Sequence, residues 1–290
     1  MGCALPCPYL RLIKPEDFMP YLDTDDGARI FYKDWGHGRP IVFLHGWPLT
    51  ADMWDNQMMV FGQAGFRVIA HDRRGFGRSS QHWADNTNER FGADLAALIE
   101  QLDLQDVVLV GHSMAGGDIC KYVAAQGCAR LSRIVMLGTV PPLMLKTDAN
   151  PDGIPMSKFD EMRDGVMTIR SDFMQATAKQ FFGFNRLTHK TSQGLLDSFW
   201  RQAMMAGVKP TYDCIKQFAE VDFTADLKKF SVPTLFIHGD DDQMVPLATA
   251  SAAASKLVPG ATLTVYPGGS HAISLTEATK FNQDVMDFIG

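Results

Sequence analysis

Gly111-His112-Ser113-Met114-Ala115-Gly116-Gly117 sets a serine among small residues where an apolar run gives way to a helical pattern. This is the spacing of a nucleophile elbow, G-x-S-x-G, a sharp strand-turn-helix that lifts a strained hydroxyl clear of a sheet. Ala115 stands where the pattern has its second glycine, one methyl away from a position that must be small. The N-terminus of the following helix favours the negative charge that develops when a carbonyl is attacked. A serine hydroxyl is a poor nucleophile without a base, and the base needs an acid to orient it. Two later segments supply both. His238-Gly239-Asp240-Asp241-Asp242-Gln243-Met244-Val245-Pro246 carries three acids in a row, and Pro267-Gly268-Gly269-Ser270-His271 ends in an imidazole. Serine, then acid, then histidine is the chain order that accompanies this elbow. The chemistry they could do together is acyl transfer.

Position favours Asp242 among the three acids, with Asp240 shaping the turn through its side chain and Asp241 pointing to solvent. His271 is the histidine of the last strand–helix loop. His238 closes an apolar strand and reads as a hydrogen-bonded structural group. His112 adjoins the serine but faces the wrong way for a base, and packing against the sheet is its expected role. His37, His82 and His189 sit in polar, loop-like surroundings. The oxyanion of an acyl transfer needs donors. Met114 offers its backbone N–H, and the loop His45-Gly46-Trp47-Pro48 should offer a second. Pro48 has no N–H, so Trp47 is the donor there, and its indole can be buried in the same turn.

These residues must be held by a sheet. Strands are expected at Ala28–Asp34, Ile41–Leu44, Arg67–His71, Val107–Val110, Ile134–Leu137, Pro233–Ile237 and Thr262–Tyr266. Helical periodicity marks Ala51–Gly62, Thr87–Leu102, Met114–Gln126 and Ala248–Leu257. Ser274-x-x-Glu277 reads as a capping box before a last helix with Phe281, Val285 and Phe288 on one face. Such alternation implies a mostly parallel sheet covered on both sides, with ligands at the carboxyl ends of its strands. Residues 141–220 break the rhythm: a loop opened by Pro141-Pro142 leads to helical stretches near 156–169, 172–182, 192–206 and 211–219. One sheet, contributed by 21–140 and 221–290 and interrupted by a helical insertion, fits this better than two domains.

Composition narrows the function. The 290 residues hold 27 Lys plus Arg against 33 Asp plus Glu, a net charge of −6, which argues against nucleic acid or an anionic membrane as partner. No apolar run approaches the roughly 20 residues of a membrane span. Five cysteines without a Cys-x-x-Cys pair suggest neither a disulfide framework nor a zinc site. Residues 1–20 carry Pro6, Pro8, Pro15 and Pro20, with Arg11 and Lys14 after the apolar stretch, the reverse of a secretory signal. They read as a leader without fixed structure, and the protein as cytoplasmic. Phosphate-loop, H-E-x-x-H and dinucleotide fingerprints are all missing.

Several segments together resemble the cofactor-free (non-heme) haloperoxidase, arylesterase and perhydrolase branch of the α/β-hydrolases. Phe31–Gly36, His45–Leu49 with Ala51–Trp54, Val68–Ser79, the Ser113 elbow, Val221–Leu227 and Val232–Pro246 agree with it in order and spacing, across roughly residues 25–290. The resemblance implies an α/β-hydrolase fold with about eight strands, helices on both faces and a small helical cap over the serine. It makes the second acid of the Gly-Asp-x-Asp-Gln stretch catalytic, which is Asp242, with Ser113 and His271 as partners and no metal or organic cofactor. It implies small esters as substrates, for some members lactones or lactams, and peracids made from a carboxylic acid and hydrogen peroxide. Members with strong peracid activity share a proline after the oxyanion-loop tryptophan, so Pro48 is expected to set the Trp47 carbonyl to accept a hydrogen bond from peroxide. With Pro48, the aromatics Phe159, Phe173, Phe182 and Trp200 are expected to line an acyl pocket, if they do not simply pack into the core. A peracid product would also oxidise methionine, with Met114, next to the nucleophile, as the expected target.

Departures from the family are Ala115 and the Gly-Gly-Ser-His-Ala context of His271, where relatives commonly read Ala-Pro-His-Gly. A lactonase or lactamase using the same triad is the nearest rival, and a non-catalytic receptor on this scaffold a distant one. An aspartate-nucleophile enzyme is disfavoured because the elbow holds serine. A homo-oligomer is compatible with all of these.

Overall fold

Uninterrupted apolar runs become the middle of a sheet buried on both faces. The structure is a computed structural model that describes residues 20–188 and 191–290. All residues of β3 (Pro40–Leu44), β5 (Val107–His112) and β7 (Thr234–Gly239) are buried. With β1 (Tyr21–Asp23), β2 (Arg29–Trp35), β4 (Arg67–His71), β6 (Leu131–Leu137) and β8 (Thr262–Tyr266) they form one eight-stranded sheet in the order β1-β2-β4-β3-β5-β6-β7-β8. The first two strands pair antiparallel and the other six run parallel. The short β1 has too few residues to show a period, and the sequence reading does not contain it.

Helices α1 (Asp55–Gln63), α2 (Asn88–Gln101) and α3 (Ala115–Gln126) alternate with the first strands. Thr87 caps α2, its side chain accepting the Arg90 N–H at 3.3 Å, which starts the helix where its period begins. Between β6 and β7 lie α4 (Met156–Thr168), α5 (Arg170–Phe181), α6 (Gln193–Met205) and α7 (Val208–Glu220), with α4 against α7 and α5 against α6. The short α8 (Thr224–Leu227), then α9 (Ser251–Leu257), α10 (Ile273–Thr276) and α11 (Ala278–Ile289) complete the chain. No helix of the described residues is long and apolar enough to cross a membrane.

One expectation changes here. Ser274 does not cap the last helix: it lies inside the four-residue α10, and its carbonyl accepts from Gln57 Nε2 at 2.8 Å. The helix that follows begins only after Glu277, with Phe281, Val285 and Ile289 buried on its inner face. The expected leader, apart from Pro20, lies outside the described residues.

Register explains why the chemistry gathers on one edge. Leu44 pairs with Gly111, His112 with Leu137, Leu137 with Ile237 and Gly239 with Tyr266. Five parallel strands thus end side by side, and the loops after β3, β5, β6, β7 and β8 project from the same edge.

Candidate active site

Ser113 sits at the β5–α3 turn with φ +56°, a left-handed conformation rare for a residue with a side chain. The neighbours hold it there: its N–H donates to Leu137 O at 2.9 Å, and its carbonyl accepts from Gly116 N–H at 3.1 Å. Close approach explains the small residues around it. A side chain on Gly111 would strike Ile119, and one on Gly116 would strike Thr139. Ala115 is completely buried in this same turn, so its methyl is accommodated.

Across the cavity, His271 Nδ1–H donates to Asp242 Oδ2 at 2.6 Å. The other oxygen, Oδ1, accepts the N–H groups of Met244 and Val245 at 2.8 and 2.9 Å. Burial would raise the Asp242 pKa, but the charge of His271 and hydrogen bonds from His238 and His271 outweigh it and hold the carboxyl far below the usual range. Asp242 therefore stays ionised, which fixes the His271 tautomer with its lone pair on Nε2. His238 has the structural role expected of it: Nε2 lies 2.9 Å from Val245 O and 3.2 Å from Asp242 Oδ2, and Ser251 hydroxyl lies 2.7 Å from Nδ1. Asp240 shapes the turn by accepting Gly268 N–H at 2.6 Å.

Asp241 lies at the surface, its side chain 34% exposed, and it has a partner there. Arg186, beyond the end of α5, holds it in a two-pronged pair at 2.6 and 2.7 Å. On the other side of Asp242, Gln243 and Asn185 exchange amide hydrogen bonds, each at 2.9 Å. The loop bearing the acid is thus stitched on both sides to the α5–α6 connection. A polar loop read in isolation carries no sign of these partners.

The two candidate oxyanion donors follow the neighbouring strands β3 and β5. The backbone N–H groups of Trp47 and Met114 have no acceptor among the described residues. Trp47 and Pro48 are joined by a cis peptide bond, and the Trp47 indole donates to Thr211 O at 2.9 Å. Gly46 lets this loop reach the elbow: a Cβ there would lie 3.0 Å from Ser113 Cβ and would run into the His112 ring.

Beneath the loop lies a fully buried ion pair. Arg73 binds Asp118 Oδ2 through Nε at 2.9 Å and Nη2 at 2.5 Å, with side chains only 2% and 1% exposed. The same guanidinium donates to His45 O at 2.8 Å, and the Arg73 N–H donates to His45 Nε2 at 2.8 Å. Asn88 completes the cluster by donating to Asp118 Oδ1 at 3.0 Å. Removing one member of such a pair strands the other's charge, so Asp118→Ala is expected to destabilise the protein by about 3–5 kcal/mol. Urea unfolding midpoints of wild type and variant measure this; a loss below about 1 kcal/mol would rule out a dominant role for the pair.

Ser113 and His271 open onto one cavity of about 540 Å³. Its lining includes Trp47, Phe159, Phe173 and Phe181, with Met144, Met162 and Met244 among the apolar remainder. Phe159 and Phe173 are thus placed along this cavity. Phe182 is not among the lining residues: it follows the last residue of α5, and its ring packs on Phe181 at 5.0 Å and Phe199 at 6.2 Å. Trp200 also lies off the cavity, its indole donating to Ser171 Oγ at 3.2 Å. Pro48 is buried behind Trp47 and is not part of the lining. Met114 is completely buried and does not line the cavity either, so the methionines beside the reaction space are others.

Two contributors escaped the sequence reading. His112 does more than pack: its Nε2 lies 3.0 Å from the His271 carbonyl, and its ring is centred 4.6 Å from the His271 ring. Gly138, with φ +53° just after β6, leaves room for the pair, since a Cβ there would come within 3.3 Å of His271 Nδ1 and 3.4 Å of Asp242 Oδ2. A glycine directly after a central strand was the available signal. Of the loop histidines, His37 is exposed and His82 half-buried, while His189 lies outside the described residues.

The arrangement is similar to that of known proteins. Residues 39–278 match the family described as alpha/beta hydrolase fold. A non-heme haloperoxidase from Rhodococcus erythropolis is 48% identical over 272 residues, covering 93% of this chain and 99% of that one. A bifunctional esterase/perhydrolase from Acinetobacter calcoaceticus is 45% identical over 274 residues, again with 93% and 99% covered. Among solved structures, a bromoperoxidase from Bacillus anthracis superposes with a TM-score of 0.89 at 37% identity, over 93% of this chain and 98% of that one.

Proposed function

The chain belongs to the α/β-hydrolase fold family, in its non-heme haloperoxidase branch, and on that premise we propose that it is a serine ester hydrolase that also makes peracids. The observation that carries this is the buried His271–Asp242 pair, at 2.6 Å, sharing one apolar cavity with a serine held on a left-handed turn. His271 takes the Ser113 proton as the hydroxyl attacks an ester or acid carbonyl. The N–H groups of Trp47 and Met114 hold the oxyanion, and His271 returns the proton to the leaving group. The acyl group on Ser113 then passes to water, giving an acid, or to hydrogen peroxide, giving a peracid. Small-molecule esters, and carboxylic acids with peroxide, are thus the substrates, and helices from residues 141–220 form the wall over the serine.

Nitrophenyl acetate hydrolysis, and peroxide-dependent halide oxidation in acetate buffer without added metal, test the two half-reactions. Activity in the first assay only would leave an esterase and remove the peracid step. Pro48 bears on the partition between them. With no N–H of its own, it adds no donor to the loop, and its role in this reading is to set the Trp47 carbonyl to accept a hydrogen bond from peroxide. Pro48→Leu is expected to lower the perhydrolysis-to-hydrolysis ratio several-fold, measured as peracid formed per ester cleaved; an unchanged ratio would remove this role.

A further inference from the structure

We propose that Met144, Met162 and Met244 are the first acceptors of the oxygen this enzyme activates, so that turnover with peroxide converts its own acyl pocket into a sulfoxide-lined one. The inference rests on the perhydrolase reading. All three line the cavity onto which Ser113 and His271 open, whereas Met114, beside the nucleophile in sequence, is sealed from it. A peracid released from Ser113 therefore meets thioethers before it meets solvent.

The step is self-contained. A thioether lone pair attacks the outer peroxy oxygen, the O–O bond breaks and an S–O bond forms. The proton of the transferred oxygen passes to the carbonyl oxygen of the peracid, which leaves as the carboxylic acid. Sulfur loses two electrons and the peroxy oxygen gains them, so no further oxidant is needed. The product is a polar, chiral sulfoxide where the wall had been apolar and flexible. Met244 adds a second consequence, because its N–H is one of the donors on Asp242 Oδ1, at 2.8 Å. Oxidation thus alters the apolar wall at Met144 and Met162 and bears on the acid's loop at Met244.

The rest of the chain contains its own reference. Met59 and Met167 are more than half exposed, at 54% and 62%, and report on peracid in bulk solution. The experiment is peptide mass spectrometry of the wild-type protein after turnover in acetate and hydrogen peroxide, with excess N-acetylmethionine to consume released peracid. The expected result is sulfoxide at Met144, Met162 and Met244 at least five-fold above Met59 and Met167. Ser113→Ala protein in the same peroxide should show no such enrichment. Turnover of a nitrophenyl hexanoate relative to the acetate should then fall several-fold, and methionine sulfoxide reductase should restore it. Equal or greater oxidation at Met59 and Met167, equal oxidation in Ser113→Ala, or an unchanged ester ratio with the sulfoxides in place would each overturn the proposal. The N-acetylmethionine sulfoxide formed separates two failures. If it is formed while the cavity methionines stay reduced, this proposal alone falls; if none forms, the perhydrolase reading falls with it.

Discussion

Ser113→Ala is expected to lower nitrophenyl acetate turnover on the order of 10⁶-fold, the loss seen when a nucleophile is removed from a triad that acts as a unit. The reason lies in geometry that the substitution leaves alone. The backbone turn at φ +56° is held by Leu137 O and Gly116 N–H, which do not involve the side chain. The Asp242–His271 pair and the Trp47 and Met114 N–H groups also remain. What disappears is the one atom proposed to be covalently acylated. Residual activity from oxyanion binding should survive at 10³–10⁴ over water, to order of magnitude, without a burst of nitrophenol. Stability should change by no more than about 1 kcal/mol. Activity above a tenth of wild type would reject Ser113 as nucleophile.

A second large effect is expected on stability in mild acid. His45, His71 and His112 are buried and neutral. Burial, with the charge of Arg73 behind it, pushes His45 well below the ordinary imidazole range and His71 down to about 3. Burial, then the charge of His271, brings His112 to about 3. The hydrogen bonds agree: His45 Nε2 accepts the Arg73 N–H, so its lone pair cannot take a proton, and His112 Nδ1 is buried with no partner among the described residues. In the unfolded chain all three would titrate near 6.5. Their folded pKa values lie below the unfolded ones, so the stability they carry is complete above pH 6.5 and is lost as pH falls. Between pH 7 and 5, before carboxylates titrate, His71 and His112 each contribute a loss of about 2 kcal/mol, roughly 4 kcal/mol together, and His45 acts in the same direction. That approaches the whole stability of a typical domain, about 5–15 kcal/mol. Urea midpoints at pH 7 and pH 5 give the answer; equal midpoints would mean that the imidazoles protonate in place.

Much of this was legible because the chemistry sits at strand ends. Val107–Val110 running into Gly-His-Ser told where the tight turn lies, and the same rule pointed to Asp242, His271 and Trp47, which the structure sets after neighbouring strands on one edge. Those assignments need only local sequence, since a parallel sheet brings its carboxyl ends together by construction. What sequence could not convey depends on partners far along the chain. Asp241 faces solvent, but its pairing with Arg186, 55 residues away in sequence, leaves no local mark. Phe181 and Phe182 are adjacent aromatics, and only the packing of α5 decides which one meets the substrate. Ser274 and Glu277 have the spacing of a capping box, yet the buried partner Gln57 fixes Ser274 inside a separate short helix. Ala115 was a doubtful match as a motif letter; as a buried methyl in a turn with room for it, it is an ordinary elbow residue.

The double seam on either side of Asp242 has a consequence for building variants. Arg186 holds Asp241, and Asn185 holds Gln243, so the α5–α6 connection and the acid's loop are two halves of one joint. Substrate range in such a protein is most readily changed by transplanting the inserted helices from a relative. A transplant that brings a foreign connection at 185 and 186 but keeps the host's 241 and 243 would assemble a new pocket over a loosened proton relay. The exchangeable module is therefore not the insertion alone but the insertion together with its two docking residues in the second half of the sheet.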